Sequence, residues 1–275
     1  DRKAIRLRTV AWGLGLQVVF AFIVLKTTVA GTQTLSLAPL VIDEITLVGG
    51  TFSGIAVSRD NGCNFAFAGP GTHIVSDLAM RPDGSLVGIT SAYQKAGPNG
   101  SLYDNHVLVS TDDAQTFTVT GGPIDPTLII ESIEVTPSDP ARLYMSAVRG
   151  EGEKRTAAFL VSYDAGLTWV ERKLDLLPGE LQPYIAITDP KNADRVYLRT
   201  NGAADAQTRL LVTDDAGKTW KKLYDSPSPI LGFALLDDGS RVYAGNREGL
   251  VSASTDKFVF EKGASPIQFA PSPPI

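Results

Sequence analysis

The chain is poor in the residues that staple small folds or hold metals: 275 residues carry one Cys and two His. One Cys excludes an internal disulfide framework, and one Cys with two His cannot complete a tetrahedral His/Cys zinc site. No glycine-rich phosphate-binding loop and no serine-centred nucleophile elbow occurs, so no cofactor or metal is expected. An excess of basic charge is also missing. The net charge is −5, and residues 1–30 contribute +4 through Arg2, Lys3, Arg6, Arg8 and Lys26 against Asp1, leaving −9 for the remainder. A body that acidic excludes nucleic acid as the expected partner, because phosphate backbones select Lys/Arg patches. With 43% apolar and 20% charged residues the chain has enough apolar material for a substantial core.

Long hydrophobic runs are missing too, with one exception. DRKAIRLR is followed by TVAWGLGLQVVFAFIVL (9–25), which has no charge and is polar only at Thr9 and Gln17. As a helix it would be about 25 Å long, the lower limit for crossing a bilayer. Residues 1–30 are therefore expected to form a basic leader and an apolar signal-anchor or transmembrane helix. The positive-inside rule keeps the leader cytoplasmic and places the body in the periplasm or outside the cell. Thr28-Val29-Ala30 before Gly31 offers a cleavage site, and cleavage there would make the body a secreted protein. The stretch 8–27 resembles a segment near the start of the membrane core of concentrative nucleoside transporters. No further span follows, so transport is not carried over.

The remainder is a repeat. SRDNGCNF (58–65), STDDAQTF (110–117), SYDAGLTW (162–169) and TDDAGKTW (213–220) align without gaps, with Asn64 and Ala114 as departures, and SASTDKFVF (252–260) is a degraded fifth copy. Between these boxes lie pairs of apolar runs around turns of Pro, Asp, Gly or Asn, such as SDLAMRPDGSLVGIT (76–90) and ESIEVTPSDPARLYMSAV (131–148). Such turns between β-rich runs are hairpin signals, so each repeat is expected to hold four short strands. In each box the Ser/Thr and Asp (Ser58 and Asp60, Ser110 and Asp112, Ser162 and Asp164, Thr213 and Asp215) are expected to bond the turn backbone. Gly62, Gly166 and Gly217 are expected at positive φ, and Phe65, Phe117, Trp169 and Trp220 between neighbouring sheets. A residue repeated four times cannot occupy one active site, so the boxes are read as scaffold.

These boxes resemble the Asp-box, or bacterial neuraminidase repeat, family, and more distantly sortilin-like and photosystem II assembly-factor-like proteins; DPARLY (139–144) and DPKNADRVY (189–197) add to the likeness. The resemblance implies an all-β fold, a β-propeller of four-stranded antiparallel blades behind one N-terminal hydrophobic helix. Five blades are expected, near 37–70, 74–122, 128–175, 183–225 and 229–263. Residues 31–36 form a linker, 37–263 the propeller, and 264–275 a Pro-rich tail or closing strand with Ile267–Ala270 as its strand.

The family's sialidases imply three Arg on a substrate carboxylate, a Tyr/Glu nucleophile pair, an Asp acid and an early Arg-Ile-Pro motif. That motif is missing, and Arg142, Arg195 and Arg241 fall at the repeat phase beside Tyr144, Tyr197 and Tyr243, which reads as scaffold. Paired carboxylates of other glycosidases could come from Glu131 and Glu134, Glu151 and Glu153, or Glu180. These are expected to be solvated loop or strand-edge charges, His73 and His106 isolated polar groups, and Cys63 a spectator. No catalytic residue is therefore assigned, and the chain is expected to be a non-enzyme: a membrane-tethered scaffold binding protein partners. A glycan-binding or glycan-cleaving propeller is the alternative. The non-repeated insertions 93–106, 149–156, 175–183 and 201–208 mark the working face, with Tyr93, Tyr103, Arg149 and Arg155 as its candidate binding residues.

Overall fold

The computed structural model describes residues 40–43, 46–51, 53–68, 74–97, 100–150, 152, 155–202 and 207–263. The apolar stretch 9–25, the linker and the tail 264–275, with its expected strand, lie outside the described residues. Among those described, no helix is long and apolar enough to cross a membrane.

Five four-stranded antiparallel sheets follow one another along the chain. Blade 1 comprises β1 (Leu40–Asp43), β2 (Thr46–Thr51), β3 (Gly54–Ser58) and β4 (Ala66–Ala68). Blade 2 comprises β5 (Val75–Met80), β6 (Leu86–Thr90), β9 (Val107–Ser110) and β10 (Thr118–Thr120), with a separate hairpin of β7 (Ala92–Gly97) and β8 (Gly100–Asp104) between its second and third strands. Blade 3 comprises β11 (Leu128–Thr136), β12 (Asp139–Arg149), β13 (Thr156–Ser162) and β14 (Val170–Leu174). Blade 4 runs through β15 (Glu180–Thr188), β16 (Val196–Gly202), β17 (Thr208–Thr213) and β18 (Lys221–Ser226). Blade 5 runs through β19 (Gly232–Leu235), β20 (Arg241–Asn246), β21 (Gly249–Ser254) and β22 (Glu261–Lys262).

The boxes are the turns between the last two strands of a blade, and their hydrogen bonds explain their composition. Ser58 Oγ donates to Asp60 Oδ1 at 2.8 Å and accepts from Gly62 N at 2.8 Å, while Asn64 N donates to Asp60 Oδ1 at 2.8 Å. The same set recurs at Ser110/Asp112, Ser162/Asp164 and Thr213/Asp215, where the Thr hydroxyl two residues before the next strand also bonds the carboxylate at 2.6 Å. These bonds hold the Asp112 carboxyl down at about 2. Two successive residues of each turn take positive φ, among them Ala216 at 57° and Gly217 at 82°. A Cβ at Gly217 would lie 2.4 Å from Phe159 of blade 3, so the close approach of two blades also requires glycine there.

The core is divided among the joints between blades. Val48, Ile55 and Val57 of blade 1 pack with Val75, Leu78, Leu86 and Phe117 of blade 2; the next joints hold Ile133, Leu143 and Met145, then Tyr144, Phe159 and Leu198. In the second, third and fourth boxes the closing aromatic covers the preceding blade, as where Trp220 meets Phe159 edge-on at 5.0 Å between centroids, whereas Phe65 of the first box is exposed. Arg142 pairs with Asp194 and Tyr144 donates to Ala193 O at 2.6 Å, so the repeated Arg and Tyr latch one blade to the next. Trp220→Ala is expected to lower unfolding free energy by about 3 kcal/mol in denaturant titration, because the ring is a principal contact of its joint.

Candidate functional site

The first strands of successive blades adjoin: β5 lies against β11, β11 against β15, and β15 against β19. Their side chains at one level are tied across blades. Ile133 N donates to Asp77 Oδ2 at 3.0 Å, and Ile185 N donates to Ser132 Oγ at 3.1 Å. In both cases the acceptor is paired, in its own blade, with the same position of the second strand: Asp77 with Ile89, Ser132 with Ser146, and Tyr184 with Arg199 in blade 4. Asp77, Ser132 and Tyr184 are therefore equivalent positions of three neighbouring inner strands.

Glu131 is added to this row by an irregularity. The pairing of β11 with β12 skips it, from Ile130 opposite Ala147 to Ser132 opposite Ser146. Such a bulge re-aims a side chain that regular alternation would place elsewhere. The Glu131 carboxylate accepts from the Tyr184 hydroxyl and, at 3.1 Å, from Gln182 Nε2. Arg155, at the end of the loop between β12 and β13, exerts its positive charge on Glu131 and donates from Nη1 to Leu181 O at 3.3 Å. Arg199 lies over the Tyr184 ring, 5.6 Å from its centroid.

Burial dominates the electrostatics. It pushes the Asp77 carboxyl up to about 7, against the opposing hydrogen bonds from the Ile133 and Leu78 amides. Burial likewise raises Glu131 to about 6, against the Tyr184 hydroxyl and the charge of Arg155. Tyr184 is raised to about 12 by burial and by the two carboxylates, so near neutral pH it is a hydrogen-bond donor and not a phenolate. Asp77 and Glu131, on neighbouring inner strands, thus both have carboxyls raised by burial toward neutrality, and both act on the Tyr184 hydroxyl. Among the described residues no three His, Cys, Asp or Glu side chains converge as a metal site.

The candidate residues of the sequence divide. Arg155 belongs to this cluster, whereas Arg149 is bound to Asp125 at 2.7 Å and Glu171 at 3.1 Å on the outer strands. Tyr93 and Tyr103 meet edge-on across the β7–β8 hairpin, 6.2 Å between centroids, and Tyr103 N ties the hairpin to Pro126 O of the following connection. Glu180 is clamped by Arg209 at 2.7 and 2.6 Å and serves as a buried brace. His106 pairs with Asp104 at 2.7 Å, Cys63 is exposed, and Glu151, Glu153 and His73 lie outside the described residues. Glu131, expected as a solvated strand-edge charge, is instead an inner-strand residue of the cluster. Sequence reasoning missed Asp77, Tyr184, Gln182 and Arg199; for Asp77 and Tyr184 the available signal was a polar residue on the apolar first run of a repeat.

Comparison with known proteins fixes the architecture. A GH74 enzyme from Niastella koreensis superposes with a TM-score of 0.55 at 18% identity, over 78% of this chain and 35% of that one. A GH74 xyloglucanase from Xanthomonas campestris gives 0.55 at 15%, over 83% and 37%. An oligogalacturonate lyase in complex with manganese gives 0.56 at 12%, over 80% and 62%. The fold is a β-propeller. At these identities the likeness concerns the fold alone, and the chain spans about a third of the length of those GH74 enzymes. The family model for the Na+ dependent nucleoside transporter N-terminus matches residues 1–69, the last part of which is β2 to β4 of blade 1. No curated protein matches. The expectation of a non-enzyme is corrected: solved structures that share this fold include GH74 enzymes and an oligogalacturonate lyase. Titration of carboxyl-13C-labelled protein should show midpoints near 7 for Asp77 and near 6 for Glu131; values near 4 for both would remove the acid/base assignment.

Proposed function

We propose that the protein is a carbohydrate-active β-propeller that binds a glycan across its axis and cleaves a glycosidic bond with Glu131 and Asp77. The observation that carries this reading is the pair of burial-raised carboxyls on neighbouring inner strands, with Glu131 placed by a bulge and held by Tyr184 and Gln182. Glycoside hydrolysis uses two carboxyl groups in different protonation states. Here the higher value belongs to Asp77, which is the proton donor, and the lower to Glu131, which acts as carboxylate. Tyr184 orients Glu131 through its hydroxyl, and Arg155 supplies positive charge at the loop side. The GH74 enzymes and the lyases of similar fold support the substrate class, although the Asp-box boxes themselves take no part in it.

Activity is expected to peak between about pH 6 and pH 7, where Glu131 is ionised and Asp77 still protonated, and to fall on either side. Glu131→Gln and Asp77→Asn should each lower turnover of a β-glucan or xyloglucan panel by about 100-fold or more while leaving unfolding temperature within a few degrees. Absence of both turnover and binding across neutral and acidic polysaccharides in the wild-type protein would overturn the reading. A protein partner is the second reading, favoured by Tyr93, Leu177, Leu181 and Leu231, which are all exposed on the loop side of the blades. Pull-down on that face would then retain a partner in a Tyr93-dependent way.

The propeller is further proposed to act outside the cytoplasm, held at the membrane by residues 9–25. Support comes from the uncharged run behind a basic leader. Fractionation of cells should place the intact chain with membranes and its propeller within reach of external protease; a cytosolic, protease-shielded chain would exclude that location.

A further inference from the structure

Each internal joint of the propeller is built from the same two halves. The following blade contributes the aromatic residue after its box, and the preceding blade contributes the side of its sheet on which that ring lies. Phe117 is 6% exposed among Val48, Ile55 and Val57; Trp169 packs on the cluster of Val87, Ile89 and Val107; Trp220 meets Phe159; and Phe260 stacks on Tyr224 at 5.0 Å. On the preceding side, Tyr144 and Tyr197 are fully buried.

Blade 1 carries the first half, and among the described residues no blade packs against it. Phe65 holds the same box position and is 55% exposed, and Phe67, two residues on along β4 and on the same side, is 65% exposed. Ala68, on the opposite side, joins the cluster shared with blade 2, so the two Phe rings face away from that joint. Blade 5 carries the second half. Phe233 and Val242 pack toward Tyr197 of blade 4, which leaves Tyr243, paired with Ala234 and Ser252, and the 40% exposed Leu250 on the other side. Among the described residues, blades 1 and 5 are not packed on each other as successive blades are.

We propose that the Phe65/Phe67 side of blade 1 docks the Tyr243 side of blade 5 in a second copy of this chain, forming a head-to-tail joint of the kind found four times within one copy. The two halves belong to different blades, the first and the last described, so the contact is heterologous and recruits further copies until both halves of every copy are covered. Two adjacent, exposed Phe rings are the apolar surface such a contact removes from water. The small Ala234 and Ser252 flanking Tyr243 leave room for an aromatic ring. This inference does not depend on the glycan reading.

The internal joints also give the register of the contact. Between blades 2 and 3, Gly122 N donates to Leu167 O at 3.2 Å, and a Cβ at Gly121 would come within 3.2 Å of Leu167 Cα. Gly263 follows β22 as Gly121 follows β10, and Cys63 occupies the box position of Leu167. Cys63 of one copy and residue 263 of another should therefore lie within disulfide reach. Gly263→Cys, mildly oxidised and run without reductant, should give covalent dimers and larger species that vanish when Cys63→Ser is added. In sedimentation velocity the wild-type chain should associate with rising concentration, and Phe65→Asp and Tyr243→Asp should each weaken that association at least tenfold. An equimolar mixture of the two variants should recover a one-to-one dimer, since each supplies the half that the other lacks. A fast-migrating internally cross-linked monomer would mean that the two ends close within one chain. A monomer at every concentration with no cross-link would mean that neither end docks a copy. Either result overturns the proposal.

Discussion

A four-stranded blade cannot bury both of its faces by itself, and the rest of this structure depends on how the next blade covers it. The sheet between β11 and β14 has Ile133, Leu143 and Met145 on one side and Tyr144, Phe159 and Val161 on the other, and all six are buried. Only neighbours on both sides make that possible. The box aromatic is the piece that closes each joint, and the Ser/Thr–Asp hydrogen bonds exist to hold that aromatic at a fixed height. The two positive-φ residues of the turn bring the backbone close enough for contact, as the 2.4 Å approach at Gly217 requires. Arg142 and Tyr144 add a polar latch at the rim, where water would otherwise compete for the turn carbonyls.

This division of labour leaves the inner strands freer than the outer ones. Their edge faces the axis and not another strand, so a polar residue there does not break a ladder. Across blades 2 to 4 the equivalent position holds Asp77, Ser132 and Tyr184, three different chemistries on one backbone geometry. Ser132 shows the minimal structural solution: its hydroxyl accepts the Ile185 amide and bonds Ser146 at 2.6 Å. Asp77 accepts the equivalent amide with a carboxylate that burial pushes toward neutrality. A serine would do the bonding without that electrostatic cost, so the carboxylate at this place is not explained by stapling alone.

The repeat, the four strands in each blade and the role of the box were legible because they recur, and recurrence separates a signal from local propensity. The hairpin β7–β8 was visible only as an insertion, since Tyr93 and Tyr103 have no counterpart in the other repeats. The axial cluster was illegible for the complementary reason. Tyr184 and Asp77 sit in apolar runs whose alternation already spoke for a strand. Glu131 changes side through a bulge, which no periodicity of two can report. Arg155 and Glu131 lie 24 positions apart in sequence, and the charge of Arg155 reaches Glu131 only because β11 and the end of the β12–β13 connection share one end of a blade.

The same contrast bears on which residues matter for chemistry. Within a repeat protein, positions that recur answer the problem of stacking blades, and positions that break the recurrence answer something else. Glu180 and Arg209 also break it, yet the Glu180 carboxylate is met from several sides, by Arg209, by Thr200 Oγ1 and by Leu177 N. Glu131 is held from one side by Tyr184 and Gln182, and its carboxyl remains protonatable near neutral pH. Departure from the repeat together with incomplete neutralisation thus distinguishes Glu131 from Glu180, although both looked alike as isolated carboxylates in the chain.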